Sequence, residues 1–206
     1  DDARYSIVRW AASLTRNATG PHTHDPRSGE IINSEITWYH NHMRSYRNWL
    51  MMETGAANPS ARTLDIPEEL MGETMRQVIT HEIGHALGLQ HNMIASASFP
   101  VDSLRSPSFT RIYGVSATIM DYARQNYIAQ PGDGLQPKDF IRRVGPFDDF
   151  AINWGYRVIA APTAEAERAT LHRWLTQQTG PFPYRFASQQ LAAGDPRNQT
   201  EDLGDD

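Results

Sequence analysis

Tyr5 to Trp10 is rich in strand formers, which predicts a strand entering a sheet. Thr19-Gly20-Pro21 marks a turn, and His22 and His24 follow in a loop. Asp25-Pro26-Arg27-Ser28-Gly29-Glu30 is turn chemistry, after which Ile31 to Tyr39 reads as a second strand. Its alternation is imperfect. Ile32, Ile36 and Trp38 share one parity, with Asn33, Glu35, Thr37 and Tyr39 on the other. A half-polar strand of this kind suits a sheet edge. Met43, Tyr46, Trp49, Leu50 and Glu53 then recur at helical spacing, and Gly55 ends that helix. Their Met and aromatic stripe reads as core, and His40 and His42 read as surface or packing residues.

A long helix is predicted over about 66–87. Asp65 is its N-cap candidate, Pro67 lies in the first turn and Glu68 completes a capping box. Met71, Val78, His81 and His85 form one face, and Ile79, Ile83 and Ala86 another. A helix apolar on two sides is sandwiched, here between the sheet and a cleft. Residues 92–115 lack periodicity and are rich in Ser and Pro, which predicts a long loop shaping that cleft. Residues 123–145 read as irregular, with a tight turn at Pro131-Gly132-Asp133-Gly134. Phe147 to Tyr156 reads as a capped helix, and Thr163 caps another that holds Leu171, Trp174 and Leu175. Together these elements give an α+β fold.

The chain has 206 residues and 39% hydrophobic content, enough for one compact domain. Residues 1–88 would form an N-terminal lobe with the sheet and long helix, and 89–206 a helical and irregular C-terminal lobe. The net charge of −5 offers no basic field for nucleic acid or an anionic membrane surface. Cysteine is absent, which excludes disulfides and thiolate metal sites. No apolar run approaches the roughly 20 residues of a membrane span. The opening Asp1-Asp2-Ala3-Arg4 is not a signal peptide, and a piece of a longer exported polypeptide is expected. The tail carries Asp195, Glu201, Asp202, Asp205 and Asp206; it reads as a solvated linker, with a Ca²⁺ site as the alternative.

The chemistry concentrates at His81-Glu82-Ile83-Gly84-His85-Ala86-Leu87-Gly88-Leu89-Gln90-His91, the pattern H-E-x-x-H-x-x-G-x-x-H. His81 and His85 are four apart, so on a helix they share a face and can both reach one Zn²⁺ at roughly 2.0–2.1 Å. Glu82 is badly placed to chelate with them but well placed to take a proton from a water beside the metal. On a continuous helix His91 would sit about 80° off the His81 direction and roughly 9 Å beyond His85. The chain must turn back, and Gly88 can do so in a left-handed conformation. Three histidines leave one zinc position open, as catalysis needs.

This motif resembles that of the metzincin zinc peptidases. Ser116-Ala117-Thr118-Ile119-Met120-Asp121-Tyr122 supplies their methionine turn, with Met120 as the packing methionine beneath the ligands. By the same resemblance Tyr122 is a displaceable metal ligand that stabilises the transition state; a plain core or rim tyrosine is the other reading. Asp25 to Ile31 and Phe147 to Tyr156 add to a likeness with a bacterial metzincin-like family found as the catalytic part of exported zinc metalloproteases. The resemblance covers residues 5–160 and is most specific at 81–91 and 118–122. Ahead of the edge strand the chain is shorter than a complete metzincin.

The resemblance implies a zincin fold, a mixed sheet packed on the active-site helix, with one Zn²⁺. It also implies a periplasmic, outer-membrane-associated or extracellular location, flanking domains, and a protein or peptide substrate. It assigns substrate-backbone binding to about residues 30–39, hence Ile36 and Trp38. It makes Ala123 and Arg124, just after the methionine turn, walls of the pocket for the side chain following the cut bond. The expected activity is a zinc endopeptidase with Glu82 as general base. A non-catalytic zinc-containing module, or a zinc hydrolase for non-peptide substrates, are the alternatives.

Overall fold

The computed structural model describes residues 2, 4–178, 182–187 and 203–205. Four strands form a mixed sheet: β1 (Ile7–Ala11), β2 (Ala18–Thr19), β3 (His22–His24) and β4 (Ile31–Tyr39). β4 has the predicted bounds but not the predicted place. It is central, parallel to β1 on one side and antiparallel to β2 and β3 on the other. The rim is therefore formed by β2 and β3, and His22 and His24 stand on a strand rather than in a loop. Asp25 turns β3 into β4 by accepting from the Gly29 amide at 2.8 Å and donating its own to Glu30.

Helix α1 (His42–Trp49) follows β4 and continues as a π-helical turn, Leu50–Thr54. Helix α2 (Glu68–Ala86) then crosses beneath the sheet, against β4 and α1. It lacks the expected cap: Pro67 occupies the N-cap position without a side-chain bond, and Asp65 stays outside. Glu68 and Glu69 complement the helix dipole instead. Ala18, Trp38, Tyr46 and Val78 bury the sheet-facing side of this layer, and Leu50, Ile66, Leu70 and Ile141 fill the far end. The buried side of α2 is otherwise polar (Thr74, Gln77, His81, Glu82), which marks a working face rather than plain core.

The expected loop at 92–115 is mostly helical and packed. A 3-10 segment, Met93–Ser98, leads to α3 (Val101–Leu104) and α4 (Pro107–Tyr113). Each piece is too short to show a helical period, and Pro100 and Pro107 open the two helices where their missing amides cost nothing. Ala95, Phe99, Leu104, Val115, Ala117, Ala123, Phe147 and Leu203 make the second core beneath the cleft. Helices α5 (Pro146–Tyr156) and α6 (Ala164–Gln178) complete this lobe. The described parts of the tail dock rather than float: Leu203 enters that core, and Asp205 accepts from the Val101 amide at 3.0 Å. Asp195, Glu201, Asp202 and Asp206 of the calcium alternative lie outside the described residues. No described helix is long and apolar enough to cross a membrane.

Candidate metal centre

Helix α2 ends where the motif requires. Gly88 takes φ +85°, its amide bonds to His85 O at 2.9 Å, and the Leu89 amide reaches back to Gly84 O at 2.9 Å. These two bonds form a Schellman close, which satisfies the last carbonyls and reverses the chain. The reversal brings His91 back over the helix. His91 Nε2 lies 2.9 Å from His85 Nε2 and 3.3 Å from His81 Nε2.

The protonation of these rings follows from their other nitrogens. His81 Nδ1 faces Ile119 O at 2.7 Å, and His85 Nδ1 faces Leu89 O at 2.9 Å. A carbonyl only accepts, so both Nδ1 atoms carry the proton and both Nε2 atoms present bare lone pairs. Converging lone pairs repel unless a cation lies between them. Ligands about 2.0–2.1 Å from a tetrahedral zinc stand roughly 3.3 Å apart, close to the spacing observed here. Burial also lowers the affinity of all three rings for protons: His81 well below its usual range, His85 in the same direction, and His91 down to about 4. Neutral imidazoles are what a metal needs. The donor set fits zinc, and among the described residues it is the one cluster of three that could hold a metal.

Beside the triad stands Glu82, 7% exposed, whose carboxyl burial pushes up to about 7. The Tyr122 ring lies 4.4 Å from that of His91 and 5.7 Å from that of His81, and it lines the same cleft of about 1190 Å³. Met120 is fully buried beneath the helix, and its carbonyl accepts from the Asn92 amide at 3.1 Å, which ties the turn to the third histidine's segment. Asp121 orders the turn from below, accepting from Ser96 and Ser116 at 2.7 Å each and from the Tyr122 amide at 2.6 Å. Asp148 of α5 holds it from the side, accepting from Thr118 Oγ1 and from the Ile119 and Gly145 amides at 2.8 Å each.

The sequence-level choice of substrate-contact residues needs correction. Trp38 is buried between the sheet and α1, and Ile36 faces a separate cavity bounded by β1, β3 and the end of α2. Both follow from β4 being central. Ala123 is also displaced: its side chain points into the lower core, not the cleft. Arg124 does line the cleft, its guanidinium 4.3 Å from the Trp49 ring centroid. The residues that the pattern missed are those of the rim, Arg16 to His22, and Arg142 in the floor. His22 Nδ1 donates to His85 O at 2.9 Å and so clamps the rim to the ligand helix. Two- and three-residue strands carry no readable period, and a lone arginine in an irregular stretch reads as solvated.

Comparison with known families bears on this geometry. Over residues 63–206, most of the chain and all of the metal centre, the sequence matches the model of a family described as Met-zincin. Comparisons with curated proteins and with solved structures gave no match. The matched span runs from the start of the ligand helix through the three histidines and the methionine turn to the docked tail, and the chain belongs to the Met-zincin family.

Proposed function

We propose that this domain is a zinc endopeptidase. The observation that carries the reading is the placement of Glu82 beside three converging imidazole lone pairs, in an open cleft under a sheet edge. The edge is the β2–β3 rim, and an extended peptide adds to it by backbone hydrogen bonds. This replaces the 30–39 segment in that role.

His81, His85 and His91 would hold a zinc ion, which would supply Lewis acidity to the scissile carbonyl and to the attacking water. Glu82 takes the proton of that water as its oxygen bonds to the carbonyl carbon. The same carboxyl then gives the proton to the amide nitrogen as the carbon–nitrogen bond breaks. One carboxyl beside the reacting centre serves both transfers. The Tyr122 hydroxyl donates to the carbonyl oxygen as it gains charge. The contact between its ring and that of His91 supports this role.

The test is digestion of a peptide library by the zinc-loaded domain, read by mass spectrometry, with and without chelator. Internal cleavage that chelator abolishes and zinc restores is expected. Bound zinc without cleavage of any peptide identifies a binding module instead.

A further inference from the structure

The floor of the zinc cleft holds a cation that the described chain does not neutralise. Arg142 is 5% exposed, yet no carboxylate lies within 4.0 Å of it among the described residues. Its neighbour behaves differently: Arg143, with Arg111, shares Asp139. Arg142 Nη1 makes one long bond, 3.3 Å to Ile119 O, and its buried Nε has no partner. The Tyr46 hydroxyl accepts a hydrogen bond from it but is neutral and brings no balancing charge. Asp121 feels its charge, but the Asp121 oxygens are occupied by Ser96, Ser116 and the Tyr122 amide. Buried charges in proteins are almost always paired, because an unpaired one loses its hydration for nothing. An arginine fork left open towards a cleft fits a ligand carboxylate in two-pronged geometry.

The surroundings agree in sign. Arg16 and Arg124 line the same cleft, and Glu82 is its one carboxylate among the described lining residues. Arginines outnumber carboxylates among its described lining residues, on a chain of net charge −5. Position follows from the rim. A peptide added antiparallel to Ala18–His24 carries the residues before the cut past His22, and those after it past Ala18 towards Arg16. Tyr46 and Trp49 pack with Ala18 on that second side, and Arg142 hydrogen-bonds to Tyr46 there. Resting on the peptidase reading above, we propose that Arg142 selects substrates with a carboxylate on the residue that follows the cut bond. Arg124, stacked on Trp49, walls the same pocket.

The experiment uses the whole zinc-loaded chain and matched peptides with Asp or Glu, or Asn or Gln, after the cut. A second pair ends at that residue, with a free or an amidated terminus, and distinguishes a side-chain from a chain-end carboxylate. Acid over amide is expected by about ten- to hundredfold in kcat/KM, mostly through KM, as for hydrogen bonds to charged groups. Arg142→Gln abolishes the preference, and Arg142→Lys keeps charge but weakens it severalfold. Equal turnover of acid and amide by the wild type overturns the proposal. So does undiminished preference in a folded, zinc-loaded Arg142→Lys, which keeps the assignment testable if Arg142→Gln does not fold. Peptide binding to Glu82→Gln reads the carboxylate preference without bond cleavage. Acid-selective binding with no wild-type cleavage sinks the peptidase and leaves Arg142 as the carboxylate site; cleavage without selectivity does the reverse.

Discussion

The sulfur of Met120 occupies the space that a side chain at Gly84 would need. A Cβ on Gly84 would lie 2.2 Å from Met120 Sδ. Met120 is fully buried, so it has nowhere to retreat. The ligand helix and the methionine turn are thus in contact between His81 and His85, where small shifts would misplace both rings. Gly84→Ala gains about 1 kcal/mol in helix propensity, against overpacking that costs roughly 1–3 kcal/mol. A lower melting temperature and weaker zinc binding are expected. Met120→Ala alone leaves a cavity and costs about 2–5 kcal/mol. Together the two changes should cost less than their sum, since the new methyl enters the space the thioether leaves. Additive effects in denaturant unfolding would show that the two residues are not coupled.

Glu82 is the residue whose loss should separate metal from chemistry. Glu82→Gln keeps the three imidazoles and their carbonyl partners, so zinc stoichiometry should be unchanged. Removal of a general base costs typically 10²–10⁴-fold. Peptide turnover should fall in that range while zinc content, read by mass spectrometry of the intact protein, stays at the wild-type level. Wild-type turnover in this variant would remove the carboxylate from the mechanism.

Asp148 is expected to matter for stability although it does not line the cleft. It accepts from two backbone amides and from Thr118, and so pins the turn that carries Ile119 O, the partner of His81. Asp148→Asn replaces one accepting oxygen by a donor that faces donors. An orphaned buried donor costs roughly 1–3 kcal/mol. Thermal unfolding should show that loss with and without zinc. No change in melting temperature would mean that the turn is held by Asp121 alone.

His42 gives the metal-free protein a pH dependence of defined sign. It is 7% exposed among the rings of Trp38, Tyr46 and Trp49, and burial lowers its pKa to about 4. In the unfolded chain it titrates near 6.5. Between those values the unfolded chain holds a proton that the folded one does not, so stability falls as pH drops through about 6.5 to 4. The contribution is of the order of 3 kcal/mol, present above the window and lost below it. His42→Phe keeps a ring and cannot titrate. The stability difference between wild type and His42→Phe should be flat above pH 7 and shift against the wild type on acidification. A difference independent of pH would contradict the buried neutral ring.

The metal centre was legible because its chemistry is written in local spacing. An i,i+4 histidine pair and a glycine that can turn left-handed define His81, His85 and Gly88 before any tertiary contact forms. Strand β4 was legible in its bounds and misread in its place. Edge and centre differ in whether backbone groups on both sides are paired, and side-chain alternation does not report that. The polar positions of β4 reflect one sheet face, on which Glu35 is exposed and Asn33, Thr37 and Tyr39 are half-buried. The rim was hidden because Ala18–Thr19 and His22–His24 are too short to show a period. Arg142 was hidden for another reason: its burial is set by Tyr46, Ile119 and the cleft walls, none of them near it in sequence.

The most direct measurement is X-ray absorption at the zinc edge of the loaded protein, in wild type and in His91→Ala. One zinc per chain with three imidazole nitrogens is expected, the rest being light atoms that exchange with an added hydroxamate. In His91→Ala two imidazoles and much weaker retention of the metal are expected. Four permanent protein ligands, or an unchanged spectrum in His91→Ala, would contradict the open three-histidine site.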